Sequence, residues 1–234
     1  MDGTRSYLVG VRRVAVIDAG PESPEHMRAL ANAVRDADEV FVVLTHGHRD
    51  HAPGAFALAG DLGLEVWGPE GLEGVERPLC DGDVLSTDSG DLVAIDTPGH
   101  ARQHLAFHWP SQRALFAGDL LLGRGDTTWV GEYSGCVADY LTSLNRLSSM
   151  DLAAIYPAHG PYLDDPAEAV IRYQRHREDR IRQVAEALRK RPGAEEEDLV
   201  DVVYGSGLPK GMRQAAALSI RALMEYAQTH PERG

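Results

Sequence analysis

The spacing of apolar positions predicts two strands, a helix and a third strand in the first fifth of the chain. Two apolar runs, 6–10 and 14–20, are typical of short strands, and a turn glycine closes the second. Between 24 and 34 the apolar residues recur at helical spacing after a Ser-Pro start. The run 40–44 is then nearly all apolar. This order favours a sheet covered by helices.

The middle of the chain is rich in short runs typical of strands. These runs are separated by Gly, Pro, Ser and Asp, which favour turns, so we expect a second sheet built from hairpins. A short helix is predicted at 53–61, before these strands, and an amphipathic helix at 137–147, before the last of them. The predicted strands of this part are 64–67, 83–86, 92–96, 105–109, 113–117 and 153–156.

From about Asp165 onward the pattern becomes wholly helical. One long helix extends to Leu188 and ends before Pro192-Gly193, and the acidic run 195–198 suits the start of the next helix because carboxylates favour a helix N-terminus. We therefore predict an α/β domain over 1–164 and a small all-α domain over 165–234.

Composition narrows the class of protein. Of the 234 residues, 43% are apolar and 25% are charged, as in a globular protein, and no apolar run approaches the roughly 18 residues that span a bilayer. Cys80 and Cys136 lack a CxxC spacing, so we predict structural thiols and a cytoplasmic location without membrane contact. A formal charge of −13 argues against a protein whose whole surface binds nucleic acid.

The polar residues that follow the apolar run 40–44 predict a metal site. His46, His48, Asp50 and His51 place three imidazoles and one carboxylate within six positions. Because alternate residues of an extended segment point the same way, the first two imidazoles can share one ion. Imidazole and carboxylate are ligands that zinc favours.

Three later residues of the same chemistry also follow predicted strands: His100, Asp119 and His159. Each lies after an apolar run and before a turn, so all three can converge on the edge that carries the histidine cluster. Asp18 ends the second strand, and we expect it to accept a hydrogen bond from a ligand imidazole rather than bind metal.

This ordered set resembles the metallo-β-lactamase superfamily, whose pattern is HxHxDH followed by a histidine, an aspartate and a histidine. The resemblance covers residues 4–165 and implies an αββα sandwich with a dinuclear metal centre at one edge of its sheets. The matching residues here are His46, His48, Asp50, His51, His100, Asp119 and His159.

The resemblance also implies a role for each ligand. His46, His48 and His100 hold one ion in the family, while the other is held by the remaining side chains of the set, Asp50, His51 and His159. Asp119 bridges the two ions, and a hydroxide between them is the nucleophile. Asp50 is our candidate catalytic residue, because its position suits it to orient that hydroxide.

Four segments resemble one branch of the superfamily, the beta-lactamase-like protein two type: 118–123, 140–144, 156–161 and 173–177. That branch has a winged-helix-like C-terminal domain, and its members include an endoribonuclease that acts on single-stranded RNA and thioesterases. We therefore expect a hydrolase with two zinc ions per chain, iron or manganese being the alternative metals. The expected substrate is a small ester or thioester, or single-stranded RNA, and a homodimer is one option for its assembly.

Two other classes of protein remain open. A mononuclear-iron oxygenase similar to the persulfide dioxygenases shares the HxHxDH pattern, and an inactive metal-binding module is the third reading. Glyoxalase II is disfavoured, because its C-terminal basic residues for glutathione are not recognisable in this sequence.

Several residues outside the pattern have two readings each. Residues 172–191 carry eight basic and three acidic side chains, which predicts either a track for a phosphate backbone or a solvated helix face with paired charges. His104 either contacts a metal ligand or the substrate, or is a packing residue. Trp129 and Tyr133 follow the bridging ligand and either border the substrate pocket or pack in the core.

Overall fold

The computed structural model describes residues 3–230 and contains two five-stranded sheets. The first sheet has the strand order β1-β2-β3-β4-β5, in which β1 runs antiparallel to β2 and the other neighbours are parallel. Its strands are β1 (Tyr7–Val9), β2 (Arg13–Ile17), β3 (Glu39–Val43), β4 (Val66–Pro69) and β5 (Arg77–Leu79).

The second sheet is mostly antiparallel, with the strand order β10-β9-β8-β7-β6. The predicted hairpins are confirmed for β6 to β9, whereas β10 pairs parallel with β9. A parallel neighbour needs a crossover connection, and here that connection contains a helix. The strands are β6 (Val84–Thr87), β7 (Gly90–Asp96), β8 (Leu105–Trp109), β9 (Ala114–Gly118) and β10 (Ala154–Pro157).

Helices cover the outer faces of both sheets, so the predicted αββα sandwich with C-terminal helices is confirmed. The first sheet packs on α1 and α2, and the second sheet packs on the remaining four helices. These six helices are α1 (Pro24–Val34), α2 (Ala52–Leu62), α3 (Cys136–Ser148), α4 (Pro166–Lys190), α5 (Glu196–Tyr204) and α6 (Arg213–Thr229). None of them, within residues 3–230, combines the length and apolar character needed to cross a membrane.

The alternation of side chains along each strand divides the core into layers. In β2, Val14 and Val16 face the helices, whereas Ala15 and Ile17 face the other sheet. The same division holds in β8, where Phe107 is fully buried between the sheets. Successive strand residues point to opposite faces, so the segments buried on both faces, residues 14–17 in β2 and 105–107 in β8, are apolar.

One strand was not expected from the sequence. Arg77, Pro78 and Leu79 form β5 at the edge of the first sheet. Three residues are too few to show an alternating pattern, and proline is tolerated only where its missing N–H is not needed, as at a sheet edge. The predicted strand 64–67 also begins later, at Val66.

The core of the C-terminal helices is continuous with that of the second sheet. Leu144 of α3, Tyr173 of α4 and Ile220 of α6 belong to one buried cluster together with Ile155 of β10. The proposed division at 164/165 lies beside the start of α4 at Pro166 and stays a prediction. Because the two parts share one apolar core, their unfolding should be coupled.

A substitution in α6 should therefore destabilise the whole chain. Leu223 has no exposed surface, and we expect Leu223→Ala to lower the free energy of unfolding by about 2–5 kcal/mol. Urea unfolding followed by circular dichroism and by tryptophan fluorescence should show one transition that shifts with both probes. Val202→Ala is the control, because Val202 on α5 is 52% exposed and its loss should cost less than about 0.5 kcal/mol. Two transitions, of which only one shifts, would contradict the shared core.

Candidate metal centre

The seven candidate ligands lie together at one edge of the two sheets. The first four follow β3 in a tight loop, which is closed where the backbone N–H groups of His51 and Ala52 both donate to the carbonyl oxygen of His48. Helix α2 starts directly after this loop. His46 and His51 are completely buried, whereas His48 and Asp50 are partly exposed.

The other three ligands each follow a strand of the second sheet. Asp119 comes directly after β9, and His159 comes two residues after β10. His100 lies on the loop after β7, where Gly99 has φ of +135° and packs against Tyr140 of α3. A Cβ at Gly99 would lie 2.5 Å from the Tyr140 Cα, so only glycine fits there, and this close contact places His100.

The ligand atoms form three overlapping groups, and within each group all atoms lie within 4.8 Å of one another. The first group is an all-histidine set in which His48 Nδ1 lies 3.1 Å from His46 Nε2 and 3.0 Å from His100 Nε2. The groups are His46, His48 and His100; His46, His51 and Asp119; and Asp50, His51 and His159. The first and third coincide with the two sets that the resemblance implies, and the second contains the aspartate expected to bridge.

Several of these polar atoms are buried without a hydrogen-bond partner in the described part of the chain. They are His51 Nε2, Asp119 Oδ1 and both ring nitrogens of His159. His159 Nε2 lies 3.2 Å from Asp50 Oδ2, but without hydrogen-bond geometry. Buried polar groups are nearly always paired, and ligands with lone pairs directed at a common point have what a metal ion requires. The residues therefore fit a metal site.

Asp18 fixes one ligand imidazole from behind, as predicted. His51 Nδ1 donates to Asp18 Oδ2 over 3.0 Å, which directs His51 Nε2 into the site. Thr45 extends this contact, because its hydroxyl donates to the same carboxylate oxygen over 2.7 Å and accepts from His46 Nδ1 at 3.0 Å. One carboxylate thus sets the tautomer of two ligands.

Two further contacts hold His100 and Asp119. His100 Nδ1 donates to the carbonyl oxygen of Trp129 over 2.8 Å, so its Nε2 faces the site. His104 is 2% exposed, and its Nε2 accepts from the backbone N–H of Asp119 over 3.3 Å, while Thr97 holds its Nδ1. His104 therefore contacts the backbone of a ligand from behind.

The carboxylates make the site favourable for positive charge. Burial disfavours the protonated form of His51, but Asp18 and Asp119 outweigh it and raise the His51 pKa to about 10. Asp119 and Asp50 raise the pKa of His159 to about 10 as well. The pKa of Asp119 is held far below its usual range by His159 and His51, although burial opposes this shift. A divalent cation would be attracted by the same negative charges.

A cavity of about 350 Å³ lies between this site and the C-terminal helices. His100 and Asp119 form one wall, and side chains of α4, α5, α6 and their connections form the others. The lining is largely apolar and comprises Leu122, Trp129, Tyr204, Leu208, Met212, Ala215 and Ala216. The expected position of Trp129 beside a pocket is confirmed, whereas Tyr133 does not line it, since its ring lies under Arg102 and its hydroxyl donates to Asp139.

The basic stretch 172–191 does not form one continuous surface. Arg182 and Lys190 pair with the acids Asp179 and Glu186 on exposed turns of α4, as expected for a solvated face. Arg177 was expected to be part of that face, and this expectation is wrong, because it is only 3% exposed and lines the cavity.

Helical spacing is the signal that would have revealed Arg177. It lies four residues after Tyr173 and four before Ile181, and both of these are buried, so all three occupy one face of α4. His176 also lines the cavity. Its ring pairs with Asp126 at 3.2 Å, a contact between distant segments that no local pattern predicts.

Known proteins share this fold and much of this sequence. The family model of the metallo-beta-lactamase superfamily matches residues 2–79 and 62–159. The chain is 30% identical over 237 residues to the beta-lactamase-like protein 2 homolog of Caenorhabditis elegans, an alignment that covers 96% of this chain and 78% of that protein.

Two solved structures extend the comparison. A metallo-beta-lactamase family protein from Thermus thermophilus superposes with a TM-score of 0.81 at 22% identity, over 97% of this chain and 89% of that one. Another solved protein, described as being in a di-iron-bound form, has a TM-score of 0.56 at 27% identity, over 71% of this chain and 92% of its own. By its sequence match and its fold, the chain belongs to the metallo-beta-lactamase superfamily.

Proposed function

We propose that the protein is a metal-dependent hydrolase that uses two metal ions to cleave an ester or thioester bond. The observation that carries this proposal is the pair of three-ligand groups that meet at Asp119, beside an apolar cavity. A catalytic metal site needs nitrogen and oxygen ligands, an accessible position and a place for the substrate. The residues at this sheet edge are suited to all three.

Each three-ligand set would hold one ion, and Asp119, whose carboxylate lies 3.6 Å from His100 Nε2 and 3.4 Å from His159 Nε2, would contribute to both. When bound, such ions supply a hydroxide near neutral pH and polarise the carbonyl or phosphoryl oxygen that it attacks. The chain contributes the orientation of the ligands, through Asp18, Thr45 and the Trp129 carbonyl. It also excludes bulk water from His46 and His51, which are completely buried.

Asp50 is suited to handle the proton of the attacking water. Its side chain is 45% exposed, in contrast to 10% for Asp119, and its Oδ2 lies 3.2 Å from His159 Nε2. The His159 ring lowers the pKa of Asp50, so Asp50 is ionised and can accept a hydrogen bond from water. A carboxylate that touches both a ligand and the open side of the site can orient a nucleophile.

Two features favour an ester or thioester over RNA. The cavity beside the ligands is small and largely apolar, which suits an acyl group better than a hydrated phosphodiester chain. Among the basic residues of α4, Arg182 and Lys190 pair with acids and Arg177 is buried, which interrupts a track for a backbone of phosphates. Phosphodiester cleavage is the alternative within the same chemistry.

Metal binding should stabilise the fold. At a free metal concentration 100 times the dissociation constant, linkage adds about 2.7 kcal/mol, and a chain of this size should gain roughly 5–10 °C in Tm. We expect Zn²⁺ to produce this shift in chelator-treated protein, and elemental analysis to find two ions per chain.

Matched variants separate this site from incidental metal binding. Asp119→Asn should lose most of the thermal shift, while Asp61→Asn, an exposed position of α2, should keep it. An equal shift in both variants would contradict the assignment. A single iron per chain in protein purified from cells would instead support the iron-oxygenase alternative.

Removing Asp50 should abolish most of the turnover. We expect Asp50→Ala to lower kcat by roughly 10²- to 10⁴-fold on a hexanoyl thioester, because general-base and orienting groups contribute in this range. The assay uses zinc-saturated protein, with Asp61→Ala as control and a single-stranded RNA oligonucleotide as a parallel substrate. Full activity of Asp50→Ala would refute the mechanism, and RNA cleavage without thioester hydrolysis would assign the site to a nuclease.

A further inference from the structure

The cavity beside the metal centre contains a buried cation without an acidic partner. Arg177 is 3% exposed, and no carboxylate of residues 3–230 lies within ion-pair distance of its guanidinium. Its Nη2 donates to the carbonyl oxygen of Thr128 over 3.0 Å, and its Nε has no hydrogen-bond partner in the described chain. The ring of Tyr140 lies 5.1 Å from the guanidinium carbon, which stabilises the charge only in part.

The second arginine of the cavity has no acidic partner either. Arg180 Nη1 donates to the carbonyl oxygen of Val203 over 2.6 Å and to Gln183, and within the described residues it forms no ion pair. His176 is different, because Asp126 pairs with it. The cavity is therefore lined by two arginines without acidic partners as well as by the candidate metal ligands His100 and Asp119.

Burying a charge without a partner costs several kcal/mol, and such charges are retained where something compensates them. Thr128 and Tyr140 bind the cation but carry no negative charge. The other lining residues are mainly apolar, apart from Thr127, Ser219, His176 and the two candidate ligands. An occupant that matches this wall is therefore apolar along its length and anionic at the end that reaches Arg177.

We infer that the cavity accepts the acyl part of a small ester or thioester that ends in a carboxylate, and that Arg177 binds this carboxylate. This inference rests on the proposed hydrolase function and names its substrate class. The reactive carbonyl would lie at His100 and Asp119, and the apolar chain would pass Trp129 and Leu208. RNA is disfavoured as the occupant because Arg177 is only 3% exposed and the cavity of about 350 Å³ is small for a phosphate backbone.

A matched pair of esters tests this assignment on the zinc-loaded protein. Mono-4-nitrophenyl adipate carries a free carboxylate, and methyl 4-nitrophenyl adipate has the same acyl chain with that charge removed. Charge-assisted hydrogen bonds to arginine are strong, so we expect kcat/KM to favour the anionic ester by roughly 10- to 100-fold. The preference should be expressed mainly in KM, because the carboxylate lies away from the bond that reacts.

Substitution of Arg177 should remove that preference. We expect Arg177→Met to bring the ratio of the kcat/KM values for the two esters close to one through a higher KM for the anionic ester. Arg177→Lys should retain part of the preference, because it keeps the charge but not the fork geometry. Arg175→Met is the control, since Arg175 is exposed on the same helix and does not line the cavity.

The outcomes separate the inference from the function on which it rests. Absence of turnover of both esters would refute the proposed hydrolase. Equal turnover of both esters by the unmodified protein, or a preference that survives in Arg177→Met, would overturn the role of Arg177 alone. RNA cleavage that exceeds ester turnover would overturn the substrate class. Circular dichroism and Tm show whether each variant is folded. If Arg177→Met is not folded, the ratio of kcat/KM values for the two esters measured with Arg177→Lys decides.

Discussion

The Asp18 carboxylate is the contact on which the arrangement of the site depends. It is 2% exposed, and a carboxylate so deeply buried must be compensated by hydrogen bonds. Asp18 accepts them from the Thr45 backbone N–H, the Thr45 hydroxyl and His51 Nδ1. Its own backbone has a φ of +51°, a conformation that costs energy in a residue other than glycine. The end of β2 is thereby joined to the ligand loop after β3, and the orientation of two imidazoles follows from one side chain.

Sequence patterns predicted the parts of this molecule that depend on local order. Apolar runs marked nine of the ten strands because each is buried on at least one face, and ligands placed directly after strands converged because strand ends share an edge. The patterns failed where the cause was tertiary. Edge strand β5 is too short to show alternation. Arg177 lies at helical spacing between buried Tyr173 and Ile181, but a search for apolar positions passes over a charged residue, and its contact with Thr128 joins distant segments.

The C-terminal helices complete the site rather than form a separate appendage. Trp129 Nε1 donates to the Ala215 carbonyl oxygen at the start of α6, and Tyr173 of α4 exchanges hydrogen bonds with the backbone of Leu122. These contacts hold the segment after Asp119 between the second sheet and the helices. The sheets thus position the candidate metal ligands, whereas the helices determine the shape and charge of the cavity beside them. A common reaction centre can therefore serve different substrates when the helical part differs.

The segment Thr128-Trp129 connects the cavity to the metal ligands. The Thr128 carbonyl oxygen accepts from Arg177, and the Trp129 carbonyl oxygen accepts from the ligand His100. A shift of this short segment would disturb both contacts at once, so the energy of ordering it is shared between the cavity and the ligand set. Such sharing is thermodynamically reciprocal. In the proposed hydrolase, a ligand in the cavity would therefore strengthen metal binding at His100, and a metal ion held there would strengthen binding in the cavity by the same factor.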